Sequence, residues 1–423
     1  MIGLWAVFLA LQLAGALVPD KAVAQGVVKS LDAGLELTEP AEKLLGGPYD
    51  RTTDCVAIGT GMAWESVSLW DRVAKVPRIG NCRGMEERLR ALSEDHLEGI
   101  DDRAYYLRYW GGYTSVFRPA LALWGPAGMA AVAGAALAVG LLAMWFALGR
   151  ALTPLGAAAF TLPVLISTDA LVLPAGSQVH ALALGIAFLG LAAVSLSVRR
   201  GLGAMTLAAV GSGAVLNYFD LINVAPLAWV LTGATGGLVA LYQQGRTGRV
   251  AKATALASAG WMAGYAGAFV ERWITAALAA GPRAVWKQVV ELVGIRSGLS
   301  GQEAYSTVKR DLGLPTWLNL RAFFDLPLGW LVAVATLVAV VAFLALAVRR
   351  RGLAALGRYG AFVWVGLLAP FWFEVMSNHS QIHAWFTFRA VAGSLAAALA
   401  GAVVLWLWSR VPADAVGSVQ ETG

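Results

Sequence analysis

The chain has 423 residues and a formal net charge of +6, with 58% hydrophobic and only 14% charged residues. A soluble protein of this length carries about a quarter charged residues, so a soluble fold is excluded. The basic balance is not the face of a nucleic-acid binder, because many Lys and Arg residues sit in short links between uncharged stretches.

Those stretches run to about 17–22 residues, the length a helix needs to cross roughly 30 Å of hydrocarbon. A helix also pairs its own backbone groups there. The expected fold is all-α and polytopic, with about ten transmembrane helices at 2–18, 127–149, 153–167, 179–197, 202–217, 222–242, 253–271, 327–347, 359–375 and 391–408. Residues 1–410 form a single transmembrane domain, with outer segments 19–126 and 272–326, and 411–423 form a cytoplasmic tail.

The first stretch, "MIGLWAVFLALQLAGALVPD", reads as an uncleaved anchor. A cleaved signal peptide is the alternative, although a basic leading region is missing. In the outer segment that follows, Val27, Val28, Leu31 and Leu35 recur at helical spacing, and "GMEERLRALSEDHLEGI" behaves similarly. Both read as amphipathic helices lying in the interface. Between them, "YDRTTDCVAIGTGM" carries Asp50, Asp54 and Cys55. A carboxylate close to the bilayer surface can orient a hydroxyl and accept its proton. Asp54 is read in that role, against a helix cap or a salt-bridged acid, and Asp50 as its solvated neighbour.

Cys55 and Cys82, the chain's two cysteines, share this segment. Facing an oxidising compartment they are disulfide candidates; two buried small side chains are the bland alternative. "LRYWGGYTSVFRP" supplies Arg108, Tyr109, Trp110, Tyr113 and Arg118, aromatics that either stack on a sugar or anchor the chain.

Farther on, Asp169 and Asp220 lie at span boundaries, where an ionisable group faces a cavity or a partner. Glu271 has Arg272 as a ready neutralising neighbour. "FWFEVMSNHSQIHAWFTFR" holds Glu374, Asn378, His379, Ser380, His383 and Arg389. His379 and His383 share a helical face, but two histidines alone do not make a metal site. A guanidinium fork with imidazole donors suits phosphate better. Interfacial aromatics with satisfied polar groups are the plain alternative.

Orientation follows from charge. Arg150, Arg199, Arg200, Arg246, Arg249, Lys252, Arg349, Arg350, Arg351, Arg358 and Arg410 fall on one side, with only Asp414 and Glu421 among the acids. Basic short links stay in the cytoplasm. Both termini are therefore expected inside, and the two long segments outside. No P-loop or dinucleotide fingerprint is present.

In this order, "TTDCVAIGTGM", "RYWGGY", "NYFDLINVAPLAWVLTG" and "SNHSQIHAWFTFR" resemble a family of bacterial integral-membrane glycosyltransferases of the GT-C class. The family includes arabinofuranosyltransferase-like proteins that decorate pilins or surface polysaccharides. The resemblance covers about residues 48 to 390. It implies a polyprenyl-phosphate sugar donor, a glycan or protein acceptor, and work on the outer face of the cytoplasmic membrane in the cell envelope. Some members need a divalent metal and others do not. The Thr-Asp pair matches Thr53 and Asp54, which makes Asp54 the implied base. The Arg-to-Tyr pattern matches Arg108 to Tyr113, with Gly111 where a histidine is usual. Tyr218, Phe219 and Asp220 match a third motif. Asn378, His379, Ser380, His383, Phe386, Thr387, Phe388 and Arg389 match a fourth, with Phe388 in place of tyrosine.

The expected function is glycosyl transfer, possible for a pentofuranose. Asp54 and Asp220 are the expected catalytic groups. Arg108, Tyr109, Trp110, Tyr113, Asn378, His379, His383 and Arg389 are the expected substrate contacts, with no metal ligands assigned. A transporter or flippase for a lipid-linked saccharide is the first rival, and a non-catalytic assembly partner the second.

Overall fold

The computed structural model describes residues 1–34, 50–63, 67–79, 84–94, 104–299 and 311–411. The described chain is almost entirely helical, as the composition requires. Its first part is α1 (Ile2–Ala16), α2 (Asp20–Asp32), α3 (Arg51–Gly59), α4 (Leu69–Lys75) and α5 (Met85–Ser93). A two-stranded antiparallel ladder joins β1 (Pro77–Arg78) to β2 (Ala104–Tyr105). Then come α6 (Thr114–Ala151), α7 (Pro154–Ser167), α8 (Gln178–Val198), α9 (Leu202–Phe219), α10 (Ala225–Gln244) and α11 (Thr247–Ala280). The last part comprises α12 (Pro282–Arg296), α13 (Leu314–Phe324), α14 (Gly329–Arg351), α15 (Ala354–Val363), α16 (Leu368–Val375), α17 (Ser377–Ile382), α18 (Ala384–Thr387) and α19 (Arg389–Ser409).

Among the described residues, seven helices are long and apolar enough to cross a membrane, or eight if the bent pair α1–α2 is one span. Ten were expected. The expected span 153–167 corresponds to α7, which is only 14 residues long, and α11 is long but not among the seven.

The spanning helices pack closely where side chains are absent. A Cβ at Gly140 of α6 would lie 2.2 Å from the Gly185 carbonyl oxygen of α8, and one at Gly185 would lie 2.5 Å from the Ala136 carbonyl. Small residues permit such backbone approach, which lipid tails alone do not drive. In α6 the span proper starts after Gly125, whose φ of 61° interrupts the helix beside Pro126.

The two ends of the bundle differ chemically. At the end shared by the α6–α7, α8–α9, α10–α11 and α14–α15 links, basic side chains hold the backbone and the aromatics. Arg358 Nε donates to the Gly245 carbonyl at 2.5 Å, and Arg351 Nε to Ser409 at 3.3 Å. Both guanidinium groups lie over the Trp408 ring, and Arg410 lies over Trp406. The C-terminal end of α19 belongs to this basic end.

The first helix belongs wholly to the other end. Met1 lies against Gly267, Trp5 Nε1 donates to Thr275 Oγ1 at 2.8 Å, and Phe8 packs on Trp110 and stacks on Tyr218. Gln12 donates to the Trp110 carbonyl, and Gly15 touches Thr114 and Ser115. A 15-residue helix is about 22 Å long, yet all these neighbours sit near the site end of α6, α9 and α11. So α1 lies across the bundle instead of passing through it. Arg118 fixes the bend that follows. Its Nε donates to the Gly15 carbonyl at 3.0 Å, and its Nη2 to Val18 O and Asp20 Oδ1, both at 2.6 Å. This capping of a helix C-terminus by a cation turns α2 by 64°.

The first amphipathic expectation is met by α2, which buries Val23, Ala24, Val27 and Leu31. Leu35 and residues 411–423 beyond Val411 lie outside the described residues. Gly112 seals the layer of short elements onto the bundle: its N–H donates to Tyr218 O at 2.9 Å. A Cβ there would lie 2.2 Å from the Tyr218 ring and 2.4 Å from its carbonyl oxygen.

Two outcomes are expected. Cysteines placed at Gly3 and at Arg349, both exposed, should react with an impermeant thiol reagent from opposite sides of intact membranes; labelling from one side would refute the placement of α1. Gly112→Ala should lower stability by about 1–3 kcal/mol through overpacking, read as a lower thermal midpoint in detergent.

Candidate functional site

At the end away from the basic links, a cavity of about 340 Å³ opens between α3, the β1–β2 hairpin, the turn before α10, the end of α12, and α17–α18. Four of the residues expected to bind substrate line it: Arg108, Tyr109, His379 and His383. Three charged groups not assigned to the site from sequence join them: Asp50, Arg78 and Arg296.

Each arrives by a different route. Arg78 sits in the β1–β2 hairpin, where it pairs with Ala104. Arg272 moors this layer from α11, donating to Ala74 O at 2.7 Å and Tyr106 O at 2.9 Å; it does not neutralise Glu271 by a side-chain bond. Arg78 and Arg108 both lie over the Tyr106 ring, at 5.4 Å. Arg296 comes from the last turn of α12, a helix that buries Val285, Val289 and Leu292 and exposes Trp286, Val290 and Val293. Arg296 Nη1 lies 2.6 Å from His379 Nδ1.

The two acids of α3 are placed differently from what was expected of them. Asp50, read as a solvated neighbour, is buried to 3% exposure and lines the cavity. It caps α3: its carboxylate accepts from Thr53 N at 2.9 Å and from Thr53 Oγ1. It also meets His180 Nε2 at 2.8 Å, and its own N–H donates to Ser177 Oγ at 2.8 Å. Burial works to raise its pKa, but the hydrogen bonds from His180 and Thr53 outweigh it and hold the carboxyl below the usual carboxylate range.

Asp54, the expected base, is not among the cavity-lining residues. Its two oxygens accept from Gln178 N and Val179 N, each at 3.0 Å. Those are first-turn N–H groups of α8, which need an acceptor from outside the helix. Burial pushes Asp54 up to about 7 against these two bonds.

Asp220 is likewise turned to the backbone. It accepts from Asn223 N at 3.0 Å and Val224 N at 3.2 Å, closing the turn into α10, and burial raises it to about 7. Its neighbours Leu221 and Asn223 reach the cavity, but Asp220 does not line it. Within that turn Ile222 takes a φ of 69°, a conformation that is costly for a β-branched residue.

The remaining expected contacts are structural. Trp110 Nε1 donates to Ala268 O at 2.8 Å, and the Tyr113 hydroxyl to Thr60 Oγ1 at 3.2 Å. Gly111 has a φ of 65°, a conformation that suits glycine. Asn378 is buried beside the cavity without lining it. Arg389 stands one layer behind, with Nη1 2.5 Å from His180 Nδ1. Asp169, with a φ of 52°, is buried in the loop before α8 and supports the Arg389 charge. Glu374 caps the start of α13, accepting from Gly313 N at 3.1 Å and Thr316 N at 3.2 Å. Cys55 is buried and disulfide-bonded; Cys82 lies outside the described residues.

The cavity is cationic. Burial and the Arg296 charge depress His379 well below the usual imidazole range and His383 to about 4. Positive charge thus comes from Arg78, Arg108 and Arg296, against the single carboxylate of Asp50. Among the described residues, buried polar atoms at the cavity without a hydrogen-bond partner in the protein include Arg78 Nε, Arg108 Nε, Tyr109 OH, Asn223 Nδ2 and His383 Nδ1. Buried orphans of this kind call for an outside partner. Most are donors, so the fitting partner is an oxygen-rich anion. Among the described residues, no group of three or more His, Cys, Asp or Glu is placed to hold a metal ion. One carboxylate among three guanidinium groups is a poor donor set for a divalent metal.

The depressed histidine has a consequence for stability. His383 keeps its proton to about pH 6.5 when unfolded but loses it by about 4 when folded, so its contribution is present above 6.5 and is lost as pH falls to 4. Asp54 titrates in an overlapping window with the opposite sign. The native-minus-His383→Gln difference in thermal stability should therefore fall on acidification, by at most on the order of 3 kcal/mol; a flat difference would contradict the neutral imidazole.

No protein-family model, no curated protein and no solved structure matches the chain.

Proposed function

We propose that the protein is a membrane glycosyltransferase that moves a sugar from a polyprenyl-phosphate donor to a hydroxyl of a glycan or protein acceptor. The observation that carries this reading is one cavity holding three guanidinium groups opposite one ionised carboxylate, at one end of an apolar helix bundle. Arginine forks match phosphate oxygens, and orphaned donors beside them suit sugar hydroxyls.

In the proposed step the anomeric carbon–phosphate oxygen bond breaks and a bond to the acceptor oxygen forms with inversion. The bonding pair leaves with the phosphate, whose growing charge Arg78, Arg108 and Arg296 stabilise, the kind of term that dominates many such reactions. Asp50 takes the role first expected of Asp54. It orients the acceptor hydroxyl and receives its proton late, once attack on the sugar has made that proton acidic. Tyr106, Tyr109 and Trp385 supply faces for the sugar. No step is routed through a metal.

Basic links at the far end support a cytoplasmic location for that end, in a bacterial inner membrane. The cavity then faces outward, and so does the N-terminus that lies beside it, while the C-terminus is inside. The lipid chain lies against the apolar exterior near Trp286, Val290 and Val293, next to Arg296.

The test is transfer by purified protein in nanodiscs, offered a panel of polyprenyl-phosphate sugars. Asp50→Asn should lower turnover by about 10²-fold or more with donor binding retained. Arg108→Gln should weaken donor binding itself. Native turnover in D50N would remove the assigned base, and leaflet-to-leaflet movement of an intact lipid-linked saccharide would favour a transporter.

A further inference from the structure

We propose that His180 and Arg389 form a buried line behind the cavity that holds Asp50 as an oriented hydrogen-bond acceptor, with His180 as a positioning residue. The inference rests on the transferase reading only for what Asp50 then accepts from. The arrangement itself is geometric.

Three buried side chains from three helices make the line. Arg389, at the start of α19, places Nη1 2.5 Å from His180 Nδ1. His180, in the first turn of α8, places Nε2 2.8 Å from Asp50 Oδ2. Arg389 and Asp50 are 2% and 3% exposed, and His180 is fully buried. The edge of the His180 ring meets Phe386 in a T-shaped contact at 5.0 Å, so water is kept from that side.

The chemistry of the three groups gives the line one direction. A guanidinium has N–H donors and no acceptor. The imidazole nitrogen facing it must therefore present a lone pair. The single proton of the neutral ring then sits on Nε2 and points at Asp50. Asp50 must in turn present a lone pair, because a carboxylic acid proton in that contact would meet another N–H. A carboxylate has about four lone-pair sites. His180 and the two Thr53 donors occupy three of them. What remains is available to the cavity that Asp50 lines.

This explains a residue otherwise hard to justify. A guanidinium buried at a span boundary is costly, and Arg389 does not line the cavity where its charge would meet a ligand directly. Behind His180 it selects the tautomer, as a carboxylate does from the opposite side in many histidine sites. Other charged or titratable groups also bear on the line. They are Asp54 and Arg51 from α3, Asp169 from the loop before α8, His379 and His383 from α17 and its C-terminus, and Arg296 from α12. Asp169 offsets the Arg389 charge, and the two neutral histidines leave Asp50 as the acceptor nearest to His180.

The test reads protonation directly and needs no donor sugar. The chain has four histidines, so nitrogen NMR of histidine-labelled native protein in nanodiscs can resolve His180, assigned by its response to Asp50→Asn. The expected result is a neutral ring with the proton on Nε2 at neutral pH. In parallel, infrared difference spectra of native minus D50N protein should show Asp50 ionised from about pH 5 to 8. His180→Phe should move its protonation midpoint up by about 2 units, whereas His180→Gln, which keeps a side-chain N–H, should leave it low. An imidazolium, a proton on Nδ1, or an unmoved midpoint in H180F would overturn the proposal. If H180F does not fold, the native spectrum alone decides. These spectra stand whether or not the protein transfers sugar. Where transfer is observed, the acidic limb of the H180F rate profile should move up with the Asp50 midpoint, with KM little changed, which a merely structural loss would not do.

Discussion

Two carboxylates one helical turn apart hold the site together. Asp50 and Asp54 share a face of α3, and both engage the first turn of α8. Four N–H groups at a helix start lack partners within the helix, and inside a membrane protein water does not readily supply them. Asp54 satisfies two from a different helix and places a negative group where the helix dipole favours it. Because α8 is buried along most of its length, this cap fixes α3 against a deeply packed part of the bundle. Asp50, four residues earlier, is set at the cavity edge by the same docking.

The other short elements are moored by the same device, a side chain satisfying a helix or turn backbone. Arg118 closes the C-terminus of α1, Asp220 closes the turn before α10, Glu374 closes the start of α13, and Arg272 takes two carbonyls of the hairpin layer. Asp54, Asp220, Arg118 and Arg272 are thus committed to backbone, whereas Asp50 faces the cavity and Arg389 meets His180. Asn319 extends the pattern without charge: it donates to Ser380 O at 2.9 Å and accepts from Thr387 Oγ1 at 2.6 Å, locking α13 to α17 and α18. A cavity lined by side chains on such anchored elements is preorganised, which is what electrostatic stabilisation of a leaving phosphate requires.

How much of this could be read in the sequence depends on the range of the interaction. Apolar length and the placement of Arg are properties of single segments, so the helical class and the basic end were legible. The orientation of α1 was not, since an apolar helix lying across a bundle has the composition of one passing through it; only Trp5, Gln12 and Arg118 betray it, through partners about 100 to 270 positions away. His379 and His383 were read with Arg389 as a phosphate-suited cluster, and Arg108 and Tyr109 as part of a separate aromatic stretch; that the four line one cavity, with Arg389 behind it, was not legible. Asp50 and Asp54 were legible as a pair but not in their division of labour, because spacing of four puts both on one face and the neighbour that tells them apart is α8. Arg78, Arg296 and His180 belong to no local pattern. A histidine at the start of an otherwise apolar stretch was the one available signal for His180.

The line from Arg389 to Asp50 also accounts for the division between histidines. His379 and His383 sit by Arg296 and stay neutral because burial disfavours a charged ring and a proton there would put two cations together. His180 faces a guanidinium too, but on its other side it has Asp50, so its one proton has a defined destination. The same arginine–imidazole contact thus leaves one ring as a neutral wall and makes the other a donor. Which outcome follows is decided by whether a carboxylate lies within 3 Å of the far nitrogen, and in this cavity only Asp50 meets that condition.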